Sequence, residues 1–138
     1  PCVFWGDLFG TPETGDLPAV TELPLLMAAR RLLAHGPQHD AFDAPDVVGF
    51  AREGDGAHPD SGLAVVLSDR RAAVKRLHVG ARHAGEQWVC VLGDHESVVV
   101  DSDGGVELEV SDGGLSVYVP AAAESELGRS LDHLVRQR

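Results

Sequence analysis

The first ten residues are almost continuously apolar, with Cys2, Val3, Phe4, Trp5, Leu8 and Phe9 interrupted by a single charge at Asp7. The continuous run from Cys2 to Trp5 predicts a strand buried on both faces, the state of strands in parallel sheets and barrels. Residues 11–18 follow with turn chemistry: Thr11-Pro12, Thr14-Gly15-Asp16 and Pro18. The period then becomes helical. Leu23, Leu26, Met27 and Leu33 share one face, widened by Leu25, Ala29 and Leu32, which predicts a helix from 23 to about 35. Thr21 is placed to cap it, Glu22 complements its dipole, and Pro24 is tolerated in the first turn. Arg30 and Arg31 sit near its C-terminal end, and Gly36-Pro37 stops it.

Residues 38–46 are polar and without a period, and beyond them the pattern alternates. Strands are predicted at 47–52, 63–68, 74–79, 87–92, 97–100, 106–110 and 115–119, most of them short and bounded by Gly or Asp. The last two alternate strictly. Val106, Leu108 and Val110 would face Leu115, Val117 and Val119 across a hairpin whose turn, Ser111-Asp112-Gly113-Gly114, tolerates positive φ. Glu107, Glu109, Ser116 and Tyr118 would then face solvent. After an Ala-rich stretch, Leu127, Leu131, Leu134 and Val135 return to helical spacing, with acids before and arginines after them, and predict a terminal helix over an apolar patch. The expected fold is mainly β: an antiparallel Greek-key sandwich, preceded by a strand-helix unit and followed by a short helix.

Composition narrows the function classes. A chain of 138 residues with 43% apolar content can bury about two-thirds of its unfolded surface and fold without staples. The net charge of −11 disfavours nucleic acid and anionic membranes as partners, and no apolar run approaches membrane-spanning length. Cys2 and Cys90 both lie in apolar runs, where free thiols pack as small hydrophobes, so a disulfide framework is not expected. That usage leans towards a cytoplasmic setting, although a secreted protein can also lack disulfides. The chain opens without a methionine or polar lead-in and reads as part of something longer.

Chemistry-bearing residues are sparse. Seven histidines invite a transition-metal reading, but His35 and His39 straddle the Gly-Pro stop, and no other pair has i, i+4 spacing on a predicted helix. Solvated surface histidine is the expectation. Asp40, Asp94 and Asp132 neighbour histidines in sequence without a serine nucleophile motif, so no triad is assigned. Trp88, amid Val89, Val91 and Leu92, is expected in the core rather than stacked on a sugar.

Taken in order, the segments PCVFWGDLFG, LLAHGPQHDAFD, VVGFAREGD, SGLAVVLSD and GGLSVYV resemble the C-terminal third of bacterial liquefying and cytoplasmic α-amylases, with the match running through residue 119. The resemblance implies that residues 1–45 are the last strand-helix unit of a (β/α)8 barrel with its linker, 46–119 the C-terminal β-domain, and 120–138 a helical extension. It further implies a parent enzyme that cleaves α-1,4 glucan with two carboxylates about 5 Å apart and a supporting aspartate. None of the three matches a residue here, and the family's Asn-His-Asp segment is absent, so no catalytic residue is assigned and this chain alone is expected to be inactive. Asp7, just past the predicted barrel strand, would at most border the cleft and is expected to serve loop amides.

The same resemblance implies calcium at Pro45, Asp46 and Asp69, with Pro45 standing where the family has a histidine. These supply too few of the six to eight oxygens that calcium wants, so weak binding is expected. The implied partners are the catalytic barrel and, through the parent, α-glucan. Self-association is open through strand 1–10 or the terminal helix. The rival expectation is a stand-alone β-sandwich that binds carbohydrate or another protein.

Overall fold

The computed structural model describes residues 2–3, 5–11 and 18–136. A short helix α1 (Trp5–Phe9) precedes α2 (Leu23–Leu33). Eight strands follow: β1 (Gln38–Ala41), β2 (Val47–Arg52), β3 (Leu63–Ser68), β4 (Ala73–His78), β5 (Gln87–Leu92), β6 (Val98–Val99), β7 (Gly105–Val110) and β8 (Leu115–Pro120). Helix α3 (Glu124–Arg136) comes last. Six strands form one antiparallel sheet in the order β1-β2-β3-β8-β5-β6, and β4 and β7 pair as a second, two-stranded sheet.

The larger sheet is covered on both faces. Towards the smaller sheet, Val47, Ala51, Ala64, Val66, Trp88 and Tyr118 pack against Leu77, Val106, Leu108 and Val110. On the opposite face, Leu63, Val65, Val117 and Val119 pack with Ala28, Ala29 and Leu33 of α2 and with Leu127 of α3. This explains the sequences of β3 and β8. A strand half in water alternates, whereas LAVVLS and LSVYVP are buried at nearly every position because both of their faces are inside. Each fully buried Val or Leu contributes roughly 1.5–3 kcal/mol relative to exposure.

The sequence expectations meet several corrections. First, the predicted strand within residues 1–10 is not one where it is described: Cys2 and Val3 lack regular structure and Trp5–Phe9 is helical, while Pro1 and Phe4 lie outside the described residues. No neighbouring strand reaches this segment among the described residues, and a lone strand leaves its amides unpaired where a helical turn satisfies them locally. The terminal helix packs Leu127, Leu131 and Leu134 on the outer core. Cys2 is exposed rather than buried, and both thiols are free.

Second, the hairpin between β7 and β8 is not a ladder. The turn forms, with Gly113 at φ 57° and the Gly114 N–H donating to Ser111 O at 3.1 Å. It carries the chain from one sheet to the other, however, because β7 pairs with β4 and β8 with β3 and β5. The physical reason lies in the side chains. Glu107 and Glu109 need water on one face of β7, whereas β8 is apolar enough on both faces to sit centrally. Third, and as a result, Ser116 and Tyr118 are fully buried rather than solvent-facing, while Glu107 and Glu109 are exposed as expected. Fourth, Gln38–Ala41 is an edge strand, pairing from Gln38↔Arg52 to Ala41↔Gly49, where the sequence reading had an irregular linker.

Helix α2 stops where Gly36 takes φ 74° and crosses Gly54, whose own φ is 78°. A Cβ built on Gly36 would lie 1.9 Å from Gly54 O, so only glycine admits this crossing. The helix lacks the expected Thr21 cap: its N-cap is Glu22, without a side-chain cap hydrogen bond, and Met27 faces outward at 37% exposure.

Candidate functional site

The residues assigned to calcium do come together. Pairing of Val47 with Ser68 in the β2–β3 ladder sets Pro45-Asp46 beside Asp69, and the Asp69 N–H donates to Asp46 O at 3.1 Å. Pro45, Asp46 and Asp69 line one open pocket of about 380 Å³ with Ser68, Gly114 and Leu115. Each carboxylate nevertheless already faces a guanidinium. Arg71 Nε donates to Asp46 Oδ2 at 2.6 Å, and Arg70 Nε lies 3.5 Å from Asp69 Oδ2. The Arg71 hydrogen bond holds the Asp46 carboxyl below the usual carboxylate range. A hard cation that needs six to eight oxygens would meet two carboxylates in ion pairs, so the fit to calcium is partial as the site stands. Nearby, buried Lys75 pairs with Asp43 and donates to Val47 O at 3.1 Å, which ties the β1–β2 connection to the smaller sheet.

Two histidine-carboxylate clusters escaped the sequence reading. His39 on β1, Glu53 just past β2 and His78 at the end of β4 form one; His35, Asp55 and His58 form the other. In the first, Glu53 Oε1 lies 2.7 Å from His39 Nε2 and 3.9 Å from His78 Nε2. In the second, Asp55 Oδ1 lies 2.8 Å from His58 Nδ1 and also accepts from the Ala57 and His58 amides. The signal that could have found the first is the β1 strand itself. Once His39 stands opposite Ala51, Glu53 is two residues away on the partner chain segment. Helical i, i+4 spacing has no bearing on strands.

A further pocket of about 330 Å³ opens beside His83, Glu86, Ser61 and Pro120. His83 is buried, with Nδ1 2.7 Å from Glu86 Oε2, Nε2 2.6 Å from Glu53 O, and its ring edge-on to Trp88 at 5.1 Å. Both ring nitrogens are taken by acceptors, which leaves neither open to a substrate. Ser61 Oγ accepts from the Asp55 amide at 3.0 Å, so it too serves the loop. Asp7 does likewise through its backbone: its carbonyl accepts the Val20 N–H at 2.7 Å. Trp88 lies in the core at 0% exposure, as expected, and Tyr118 joins it there. An aromatic platform for sugar built on these two rings is therefore ruled out.

Fold and sites together define a β-sandwich domain braced by helices on the outer face of its larger sheet. No protein-family model matches the chain. It is 41% identical over 123 residues to the α-amylase of Bacillus licheniformis, covering 86% of this chain and 24% of that protein. The α-amylase of Geobacillus stearothermophilus is 39% identical over 121 residues, 87% of this chain and 22% of that protein. The cytoplasmic α-amylase of Escherichia coli K12 is 33% identical over 130 residues, 86% of this chain and 26% of that protein. The chain corresponds to a partial, C-terminal-like segment of α-amylases. It spans about a quarter of the length of the curated relatives it matches.

Proposed function

We propose that this chain is the non-catalytic C-terminal segment of an α-amylase, a retaining endo-hydrolase of α-1,4 glucan, and that it braces the catalytic barrel. The observation that carries the reading is the extent of the match, 86% of the chain at 41% identity, together with a sandwich whose apolar strands are spent on its own two cores. In this reading residues 1–45 link the barrel to the β-domain, to whose larger sheet Gln38–Ala41 adds an edge strand, 46–119 are the rest of that domain, and 120–138 extend it over the outer face. The partners are the barrel and, through it, α-glucan.

The same proposal makes Pro45, Asp46 and Asp69 one side of a calcium site completed by oxygens from the rest of the enzyme, with Arg71 turned away from Asp46. A cytoplasmic setting fits two free thiols and a relative named as cytoplasmic. Among the described residues, no helix is long and apolar enough to cross a membrane.

The test is hydrolysis of starch and maltooligosaccharides by the purified 138-residue chain, followed through new reducing ends with an intact-mass check. No turnover is expected. Turnover by the verified chain would overthrow the division of labour.

A further inference from the structure

The geometry points to a divalent transition-metal site, of the kind zinc occupies, formed by His39, Glu53 and His78 at the seam between the two sheets. His39 comes from the edge strand of the larger sheet, Glu53 from the segment that leaves β2, and His78 from the last position of β4 in the smaller sheet. Their donor atoms all lie within 4.8 Å of one another. An ion bound tetrahedrally with Zn–N bonds of about 2.0–2.1 Å holds its ligands about 3.3–3.4 Å apart. The two measured separations, 2.7 and 3.9 Å, fall on either side of that value. Closing the set requires that the His39–Glu53 pair open, the His78–Glu53 pair close and the two imidazole nitrogens, within 4.8 Å of each other, reach the same spacing, in side chains that are 38%, 23% and 47% exposed.

Ring orientation separates this cluster from its neighbour. A histidine lone pair lies in the plane of its ring, so two rings share an ion only if their planes intersect at it. His39 and His78 are inclined at 80° with centroids 4.9 Å apart, and their planes can meet at one point. His35 and His58 are stacked at 3.6 Å and 3°, so an ion in the plane of one stands out of the plane of the other. His35 Nε2 is moreover 3.1 Å from Arg31 O. The second cluster is therefore an internal control.

The carboxylate is positioned for the role. The Glu53 N–H donates to Pro37 O at 3.0 Å, and its carbonyl is 2.6 Å from His83 Nε2, so its backbone is fixed on both sides. Gly80 leaves room for it, since a Cβ there would come within 2.9 Å of Glu53 Cδ. Among the described residues, Glu53 forms ion pairs with these two histidines and with no lysine or arginine. Imidazole with one carboxylate suits zinc-like ions rather than calcium, and three protein ligands leave a position for water. A net charge of −11 adds a general attraction for cations.

The probe is the metal alone. Zn²⁺ is titrated into the chelator-treated chain against a chromophoric competitor, and Co²⁺ is added separately to read the visible absorption of low-symmetry, histidine-bound cobalt. One saturable equivalent is expected. His78→Ala and Glu53→Gln should each weaken it by at least about tenfold, since losing even a hydrogen-bond partner that supports a ligand costs about that much. His58→Ala should bind as the parent chain does. Each variant is checked by circular dichroism and Tm in chelator, and half-exposed His78→Ala decides the matter if Glu53→Gln fails to fold. Bound Zn²⁺ should also raise Tm, because it links the two sheets. No saturable binding, binding indifferent to His78→Ala, or binding lost in His58→Ala would each overturn the assignment. None of these readouts depends on the amylase reading.

Discussion

Replacing Tyr118 by Phe removes one oxygen atom from the middle of the molecule. Strand β7 pairs on one side only, with β4, and the Tyr118 hydroxyl serves its backbone from the other sheet. The Glu109 N–H donates to Tyr118 Oη at 3.2 Å, and Oη donates to Glu109 O at 3.3 Å. Phe keeps the buried ring, so the apolar contribution is unchanged and the loss falls on these two hydrogen bonds and the weaker contact with the Cys90 thiol. A net hydrogen bond is worth about 0.5–1.5 kcal/mol, and a backbone group left unsatisfied costs about 1–3 kcal/mol. Tyr118→Phe should therefore destabilise the chain by about 1–3 kcal/mol in urea, as a lower midpoint at constant m.

Burial also pushes the Tyr118 phenol from its ordinary value of 10.0 up to about 12. The folded pKa exceeds the unfolded one, so the stabilisation is complete below pH 10 and is lost as pH rises through about 12. Tyr118 is the only tyrosine, so tyrosinate absorbance reads this titration directly. A cost below about 0.5 kcal/mol, together with titration at the ordinary value, would refute the cross-sheet role given to the hydroxyl.

Other consequences are checked separately. Asp46 has its carboxyl lowered chiefly by the Arg71 hydrogen bond, so its contribution is present above the ordinary value of 3.8 and is lost as pH falls through its lower folded value; Asp46→Asn should flatten the acid limb of stability followed by circular dichroism. Among the described residues, Ser116 Oγ is buried without a hydrogen-bond partner, so Ser116→Ala should leave stability unchanged or raise it by up to about 1 kcal/mol in the same urea assay. Gly36→Ala forces a Cβ into Gly54 O at a positive φ and should cost at least about 2 kcal/mol by thermal unfolding, while Gly56→Ala, which meets nothing within 4 Å, should be mild.

Strands β2, β3 and β5 were readable to the residue because each is a compact apolar run closed by a charge, Gly or Ser, and α2 because its leucines recur at helical spacing. β1 was not, since QHDA carries one apolar residue and is a strand only because β2 offers it an edge. The turn at 111–114 was recognised while its consequence was misjudged. Gly-rich turn chemistry reverses the chain equally well within a sheet or between sheets, and only the burial of Tyr118 decides which. The calcium candidates were legible as a group through the family resemblance, whereas their capture by Arg70 and Arg71 was not. The cluster of His39, Glu53 and His78 depends on two separate strand pairings and leaves no local trace.

Helix α2 packs against α3 on the outer face of the larger sheet, and Arg31 Nη2 reaches Ser130 Oγ at 3.5 Å across a sequence separation of 99 residues. During synthesis, the apolar side of α2 therefore lacks these partners until the sandwich strands and Leu127, Leu131 and Leu134 of α3 have left the ribosome. Such distant pairing slows folding and keeps greasy surface open to wrong partners. Deleting α3 should accordingly appear first as aggregation of newly made chains.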